Sequence, residues 1–272
     1  MKKNRMYNTF HETLSMSLPS ISSILELCVI KNGIVNLEDI KNYTNLGSNY
    51  IKVMPRYAQA CGLITLKKYG ATSFGDTVFN LDPNLRKPAT LWLMHYHMSA
   101  PHGPGPNFWN CVVSNCFSIG NEINTADIIN SIGGSLIGPN GKELGIRAKR
   151  DCASAILRTY AKSDGFGALG ILREDVSKYS VLQPDPPPIG ALAYALADYW
   201  DGVFGDRTDV SLNEITSSNS FISLFFIGQG ILANMLSDMQ RKGFVQVRRV
   251  APPYTIVKLW TNKESLLERI YE

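Results

Sequence analysis

The side chains best suited to acid–base or phosphoryl chemistry fall in two places far apart along the chain. His11-Glu12-Thr13 lies near the start, and Arg150-Asp151 with Arg158-Thr159-Tyr160 lies past the middle. Brought together, they would make a charge-assisted site. His11 or Glu12 would act as base and Tyr160 as nucleophile or positioner, while Arg150 and Arg158, with Asp151 between them, would counter the charge of a phosphorane-like transition state. The same Arg150, Asp151 and Arg158 fit an internal ion-pair network holding two domains together, and residue type alone does not separate these readings.

Metal chemistry has weaker support. A metal-dependent nuclease needs two or three converging carboxylates, or a His pair with a carboxylate. The 23 acidic residues and four histidines form no D-x-D or H-x-x-x-H pattern. His95, His97, His102, Cys111 and Cys116 could be assembled into a zinc site on paper. However, helix residues two apart point about 200° from each other, and C-x4-C is not a zinc-knuckle spacing. Core packing and loop thiols are the expectation there, with a divalent metal called for only if the chain is a nuclease. No G-x-x-x-x-G-K-[ST] cradle occurs; Gly133-Gly134-Ser135 and Gly138 to Lys142 read as turns, so ATP is not expected as a cofactor.

A second chemistry is polyanion binding, and two segments carry the residues for it. Leu18–Lys31 reads as an amphipathic helix with Ile21, Ile24, Leu25 and Cys28 on one face. Leu37–Tyr43, with Asn36 as N-cap, reads as a second helix, and a third runs from about Asn49 to Ala60 after the tight turn Asn45 to Ser48. Strands are expected over Leu63–Lys67 and Thr77–Asn80. This is the element order of a winged helix-turn-helix. Its third helix would expose Ser48, Asn49, Tyr50, Lys52 and Arg56, with Lys67 and Lys68 at the wing tip, a set able to contact base edges and phosphates. Pro55 conflicts with that helix, requiring either a bend or a later start.

The same order returns near the end: a short helix over Val210–Ser217, a longer one over Gln229–Lys242, alternating strands over Phe244–Val250 and Tyr254–Trp260, and a closing helix over Lys263–Tyr271. Arg241, Lys242, Arg248 and Arg249 cluster around that hairpin. Between the modules, helices are expected over Pro88–Met98, Thr125–Ser131 and Lys149–Lys162, the last carrying Arg147 and Lys149 at its approach. The fold expected is mainly α with small β wings: tandem winged helix-turn-helix modules over residues 1–85 and 186–272, flanking a helical middle over 86–185. The proline run from Gln183 to Pro188 marks the second boundary.

Composition narrows the function classes. The net charge of +4 permits a polyanion partner without requiring one. No apolar run approaches the roughly 20 residues needed to cross a bilayer, and polar residues follow the basic start where a signal peptide would need an apolar core. Five irregularly spaced cysteines fit a reducing compartment. A cytoplasmic protein with no membrane partner is expected.

Asp82-Pro83-Asn84-Leu85-Arg86-Lys87-Pro88-Ala89-Thr90-Leu91-Trp92-Leu93-Met94-His95 resembles a signature of a prokaryotic family of unknown-function domains found in DNA phosphorothioation and phage-defence operons. His11-Glu12-Thr13 and the Arg150-Asp151…Arg158-Thr159-Tyr160 helix resemble its other motifs, in the same order. The chain departs from the pattern after Thr13, reading Leu14-Ser15-Met16-Ser17 where an aromatic and then an arginine belong. The resemblance implies a component that binds double-stranded DNA in a phosphorothioation system, alongside sulfur-transfer and ATPase components. In that setting it would be either a nickase (a strand-nicking endonuclease) or a non-enzymatic adaptor or transcription regulator that recruits the modification enzymes. A third reading has the winged modules serve protein assembly alone.

Overall fold

The structure, a computed structural model, describes residues 11–32, 35–65, 69–138, 140–217, 220–249 and 254–272. The chain forms two compact units that divide between Asp185 and Pro186. Both are mainly helical with small antiparallel sheets.

The first unit opens with α1 (Leu18–Ile30), whose Ile21, Ile24, Leu25 and Cys28 are fully buried. In α2 (Leu37–Tyr43) a complete capping box fixes the start: Asp39 N donates to Asn36 Oδ1, and Asn36 N donates to Asp39 Oδ2, each at 2.9 Å. α3 (Ser48–Ala60) runs unbroken through Pro55. The missing N–H costs one intrahelical bond, but Val53, Met54, Pro55, Tyr57 and Ala58 are all buried, and that packing holds the helix through the gap.

One of the two expected strands fails next. The strands are β1 (Ile64–Thr65) and β2 (Gly70–Ala71), and Thr77–Asn80 lies instead within α4 (Ser73–Leu81). Thr72 caps that helix by accepting from Gly75 N at 3.0 Å, and Phe74 and Val78, one turn apart, face the core. A Cβ on Gly75 would stand 2.0 Å from the Leu63 carbonyl oxygen, so only glycine lets α4 seat against this hairpin.

α5 (Pro88–Ser99) is buried on every side from Ala89 onward. α6 (Asn107–Asn115), α7 (Thr125–Ile132) and α8 (Ile146–Ala161) follow. α7 begins at the expected Thr125, capped by Asn124, and α8 begins three residues before the expected Lys149. The middle of the chain is also not purely helical. β3 (Glu122–Ile123), β4 (Leu172–Glu174) and β5 (Tyr179–Val181) form an antiparallel sheet in the order β3-β5-β4.

The second unit contains a helix absent from the sequence reading, α9 (Ile189–Val203), buried from Gly190 to Trp200. A Cβ at Gly190 would lie 1.8 Å from the Arg269 carbonyl oxygen, which is how closely α9 meets the final turn of chain. Then come β6 (Asp209–Ser211), α10 (Leu212–Thr216), α11 (Gln229–Arg241), β7 (Val245–Arg248) and β8 (Thr255–Lys258), with sheet order β6-β8-β7. The last helix is 3-10 over Lys263–Arg269 rather than an α-helix reaching Tyr271. Among the described residues no single helix is long and apolar enough to cross a membrane.

Candidate functional site

Residues 11–14 make a tight turn in which Leu14 N donates to the His11 carbonyl at 2.7 Å. Its two central residues, Glu12 and Thr13, both have positive φ, 39° and 71°. Left-handed backbone is costly for residues with a Cβ, most of all a β-branched one, so tertiary contacts must hold the turn in place. They come from two helices. From α8, Arg158 Nη2 donates to the Thr13 carbonyl at 2.9 Å, and Thr159 Oγ1 accepts from Met16 N at 3.1 Å. From α3, Arg56 Nη1 lies 3.3 Å from Glu12 Oε1, and the Tyr57 hydroxyl donates to the Leu14 carbonyl at 2.8 Å.

His11 is buried beneath the turn. Thr13 N donates to its Nδ1 at 3.0 Å, so the neutral ring carries its hydrogen on Nε2, 3.0 Å from Cys152 Sγ. Burial lowers the His11 pKa to about 4; Asp151 opposes that shift and Arg158 adds to it. Burial, reinforced by Asp151, pushes the Cys152 thiol up to about 12. The pair therefore rests as imidazole and thiol near neutrality, with the lone pair on His11 Nδ1 already engaged by backbone. That arrangement does not equip His11 as a general base.

Tyr160 is fully buried. Its oxygen accepts from Trp109 Nε1 at 3.0 Å and lies 2.8 Å from His95 Nδ1. Burial raises its pKa, and the hydroxyl faces the aromatic core, where it cannot meet a phosphodiester as nucleophile or positioner. Arg158 bonds the carbonyls of Thr13 and Ser154, so the clasp uses backbone oxygens and is not the ion-pair network that the sequence allowed. Of the expected catalytic set, the structure joins His11, Glu12 and Arg158 at one turn. Asp151 acts on His11 from a half-buried position, Arg150 stands exposed, and Tyr160 points inward.

The surface beside the turn is cationic. On α3, Asn49, Lys52 and Arg56 share one face, with Ser48 and Tyr50 exposed beside them. On α8, Arg147, Arg150, Asp151, Ser154 and Arg158 share another. Glu12 and Thr13 touch Arg56 and Arg158 respectively, so the two faces meet at the turn. Lys149 is drawn aside by Glu143, 2.5 Å away. Lys67 and Lys68 lie outside the described residues.

In the second unit the cations at the end of α11 are largely neutralised. Arg241 pairs with Asp238 at 2.7 Å and Lys242 with Glu272 at 3.6 Å. Arg248 and Arg249, at the end of β7, are exposed and form no ion pair among the described residues.

The residues considered for zinc diverge. His95 turns to Tyr160, His97 packs on Phe74 with ring centroids 5.3 Å apart, and His102 Nε2 lies 3.2 Å from the Tyr96 hydroxyl. No group of three His, Cys, Asp or Glu side chains able to hold a metal occurs among the described residues. The Asp82–His95 motif is likewise architectural. The buried Asp82 carboxylate accepts from Arg86 N at 3.0 Å and Lys87 N at 2.8 Å, closing a loop that delivers Pro88 to the first turn of α5. The partners that sequence reasoning missed, Tyr57 and Cys152, lie 43 and 141 residues from their contacts and carry no local signal.

Fold and surface together define a mainly helical protein of two units, with a strained N-terminal turn clasped between two cation-bearing helices. The chain belongs to the DUF4007 family, described as a protein of unknown function, whose model matches residues 31–271 and so begins beyond that turn. The fold is similar to that of two crystal structures, "SspB crystal structure" (TM-score 0.75) and "Magnesium ion-bound SspB crystal structure" (TM-score 0.77). Each is 15% identical over 98% of this chain and 87% of that chain. No curated protein matches the sequence.

Proposed function

We propose that this protein is the DNA-binding component of a phosphorothioation modification or defence system, contacting duplex DNA through the joined faces of α3 and α8 and through Arg248 and Arg249. The observation that carries the reading is that Arg56 of α3 and Arg158 of α8 meet one turn from two sides, with Lys52 on the helix face of Arg56 and Arg147 and Arg150 on that of Arg158. A band of cations on exposed helix faces suits a ladder of phosphates, since affinity comes mainly from phosphate neutralisation. In this reading α1 to β2, and α10 to β8, act as winged helix-turn-helix modules, with α3 presenting Ser48, Asn49 and Tyr50 to the groove. Membership in a phosphorothioation system is supported by the family motifs and by the SspB-like fold.

Strand nicking is the further step that the likeness to SspB suggests. The magnesium ion belongs to the SspB structure. Here the described residues offer no three-ligand cage for such an ion, and neither His11 nor Tyr160 is arranged for acid–base work.

The test is fluorescence anisotropy on a labelled duplex between 50 and 200 mM salt, paired with a plasmid-relaxation assay in magnesium, manganese and EDTA. Engagement of Lys52, Arg56, Arg147, Arg150, Arg248 and Arg249 gives a log–log salt slope of about −5. Binding that ignores salt removes the reading. Metal-dependent open-circle product would establish a nickase; intact supercoils with binding retained would establish an adaptor.

A further inference from the structure

Glu12 sits where a general base was expected, but its surroundings suit another task. Its side chain meets Arg56 in an ion pair with both groups more than one-third exposed (40% and 35%). Its backbone is held at φ 39°, beside Thr13 at 71°. Four contacts from α3 and α8 fix the neighbouring residues: Arg158 on the Thr13 carbonyl, Tyr57 on that of Leu14, Thr159 on Met16 N, and Cys152 beneath His11. A strained turn is thus pinned in a conformation that lays a carboxylate on an arginine of the cationic band. Water reaches both partners, so the pair is weak enough to open.

We infer that Arg56 is a phosphodiester site that Glu12 occupies in the free protein, the carboxylate standing in for a phosphate oxyanion and being displaced when nucleic acid binds. The inference rests on the DNA-binding reading above and assigns Glu12 a competing role in place of a catalytic one. A carboxylate and a phosphate offer the same guanidinium fork paired acceptor oxygens. Before Arg56 contacts DNA it must leave Glu12, so the internal pair lowers affinity while leaving the number of phosphates neutralised in the complex unchanged.

The experiment is a double-mutant cycle read by anisotropy on one duplex, using the full chain with Glu12→Gln, Glu12→Gly, Arg56→Gln and the two double variants. Glu12→Gly removes the carboxylate while suiting the positive φ, so a fold weakened by one substitution is not shared by the other. Both Glu12 variants are expected to bind two- to fivefold more tightly than wild type, with the salt slope unchanged because the same phosphates are neutralised. In the Arg56→Gln background both gains vanish. Unchanged affinity in the Glu12 variants overturns the inference while leaving DNA binding intact, as does a gain that persists without Arg56, which would mark general charge repulsion. Loss of binding in wild type and every variant alike removes the DNA reading and this inference with it.

Discussion

Arg158 reaches across 145 residues of sequence to donate Nη2 to the Thr13 carbonyl at 2.9 Å. The bond is charge-assisted, and it stabilises a turn that the local backbone would not choose. Its guanidinium also donates Nε to the Ser154 carbonyl at 3.2 Å, so the plane is fixed by two carbonyls. Replacing Arg158 with Met should therefore destabilise the first unit by about 1–2 kcal/mol. Lysine should not restore the loss, since an ammonium cannot span both acceptors in that geometry. Thermal melts of the three proteins check this, and equal stability of Met and wild type would deny the clasp its role.

The strain itself is measurable. Thr13 is exposed at φ 71°, where glycine carries no Cβ penalty. Thr13→Gly should raise stability by about 1 kcal/mol despite the greater freedom it gives the unfolded chain. Urea denaturation decides the sign; a loss would mean that the threonine side chain contributes more than its backbone costs.

His11 links stability to pH. Its pKa falls from 6.5 to about 4 on folding, chiefly through burial. The unfolded chain then binds the proton more tightly, so the contribution is complete above about pH 6.5 and disappears as pH falls to about 4. The full swing is roughly 3 kcal/mol. Because stability depends on pH through other groups as well, the diagnostic quantity is the difference between wild type and His11→Gln. The variant's stability should fall less steeply between pH 7 and 5, and parallel curves would contradict the burial argument.

Much of this fold can be read from local pattern. Asn36 and Asp39 announce α2, and the spacing of Ile21, Ile24, Leu25 and Cys28 announces α1. α9 escapes because a helix buried all round has no polar stripe to betray its period, whereas α5, equally buried, is announced by Pro88 at its first position. The residues Thr77–Asn80 mislead because so short a segment suits strand or helix, and the Thr72 cap with Phe74 and Val78 decides it. The site was legible as residue types and illegible as geometry. His11 and Arg158 do converge, but the pairing of Glu12 with Arg56 spans 44 residues, the burial of Tyr160 rests on packing that no spacing encodes, and the local bond from Thr13 N to His11 Nδ1 needs a positive-φ turn that the sequence does not announce.

Tyr160 gives the sharpest separation between a catalytic and an architectural role. Its oxygen serves Trp109 Nε1 and His95 Nδ1 in a sealed aromatic cluster that includes Phe166 and Phe117, their ring centroids 5.4 and 5.0 Å from its own. Tyr160→Phe keeps the ring contacts and strands the Trp109 donor, a loss of about 1–3 kcal/mol. Because the hydroxyl never reaches the surface, duplex affinity and any plasmid cutting should match wild type at temperatures where both proteins are folded. Arg248→Glu with Arg249→Glu should do the reverse, leaving the melt within about 0.5 kcal/mol of wild type while weakening duplex binding and flattening its salt slope by about 2. Run side by side, the two variants separate stability from contact. A Tyr160→Phe protein that folds normally but loses cutting would return the tyrosine to the chemistry, and an unaltered Arg248/Arg249 variant would confine binding to the first unit.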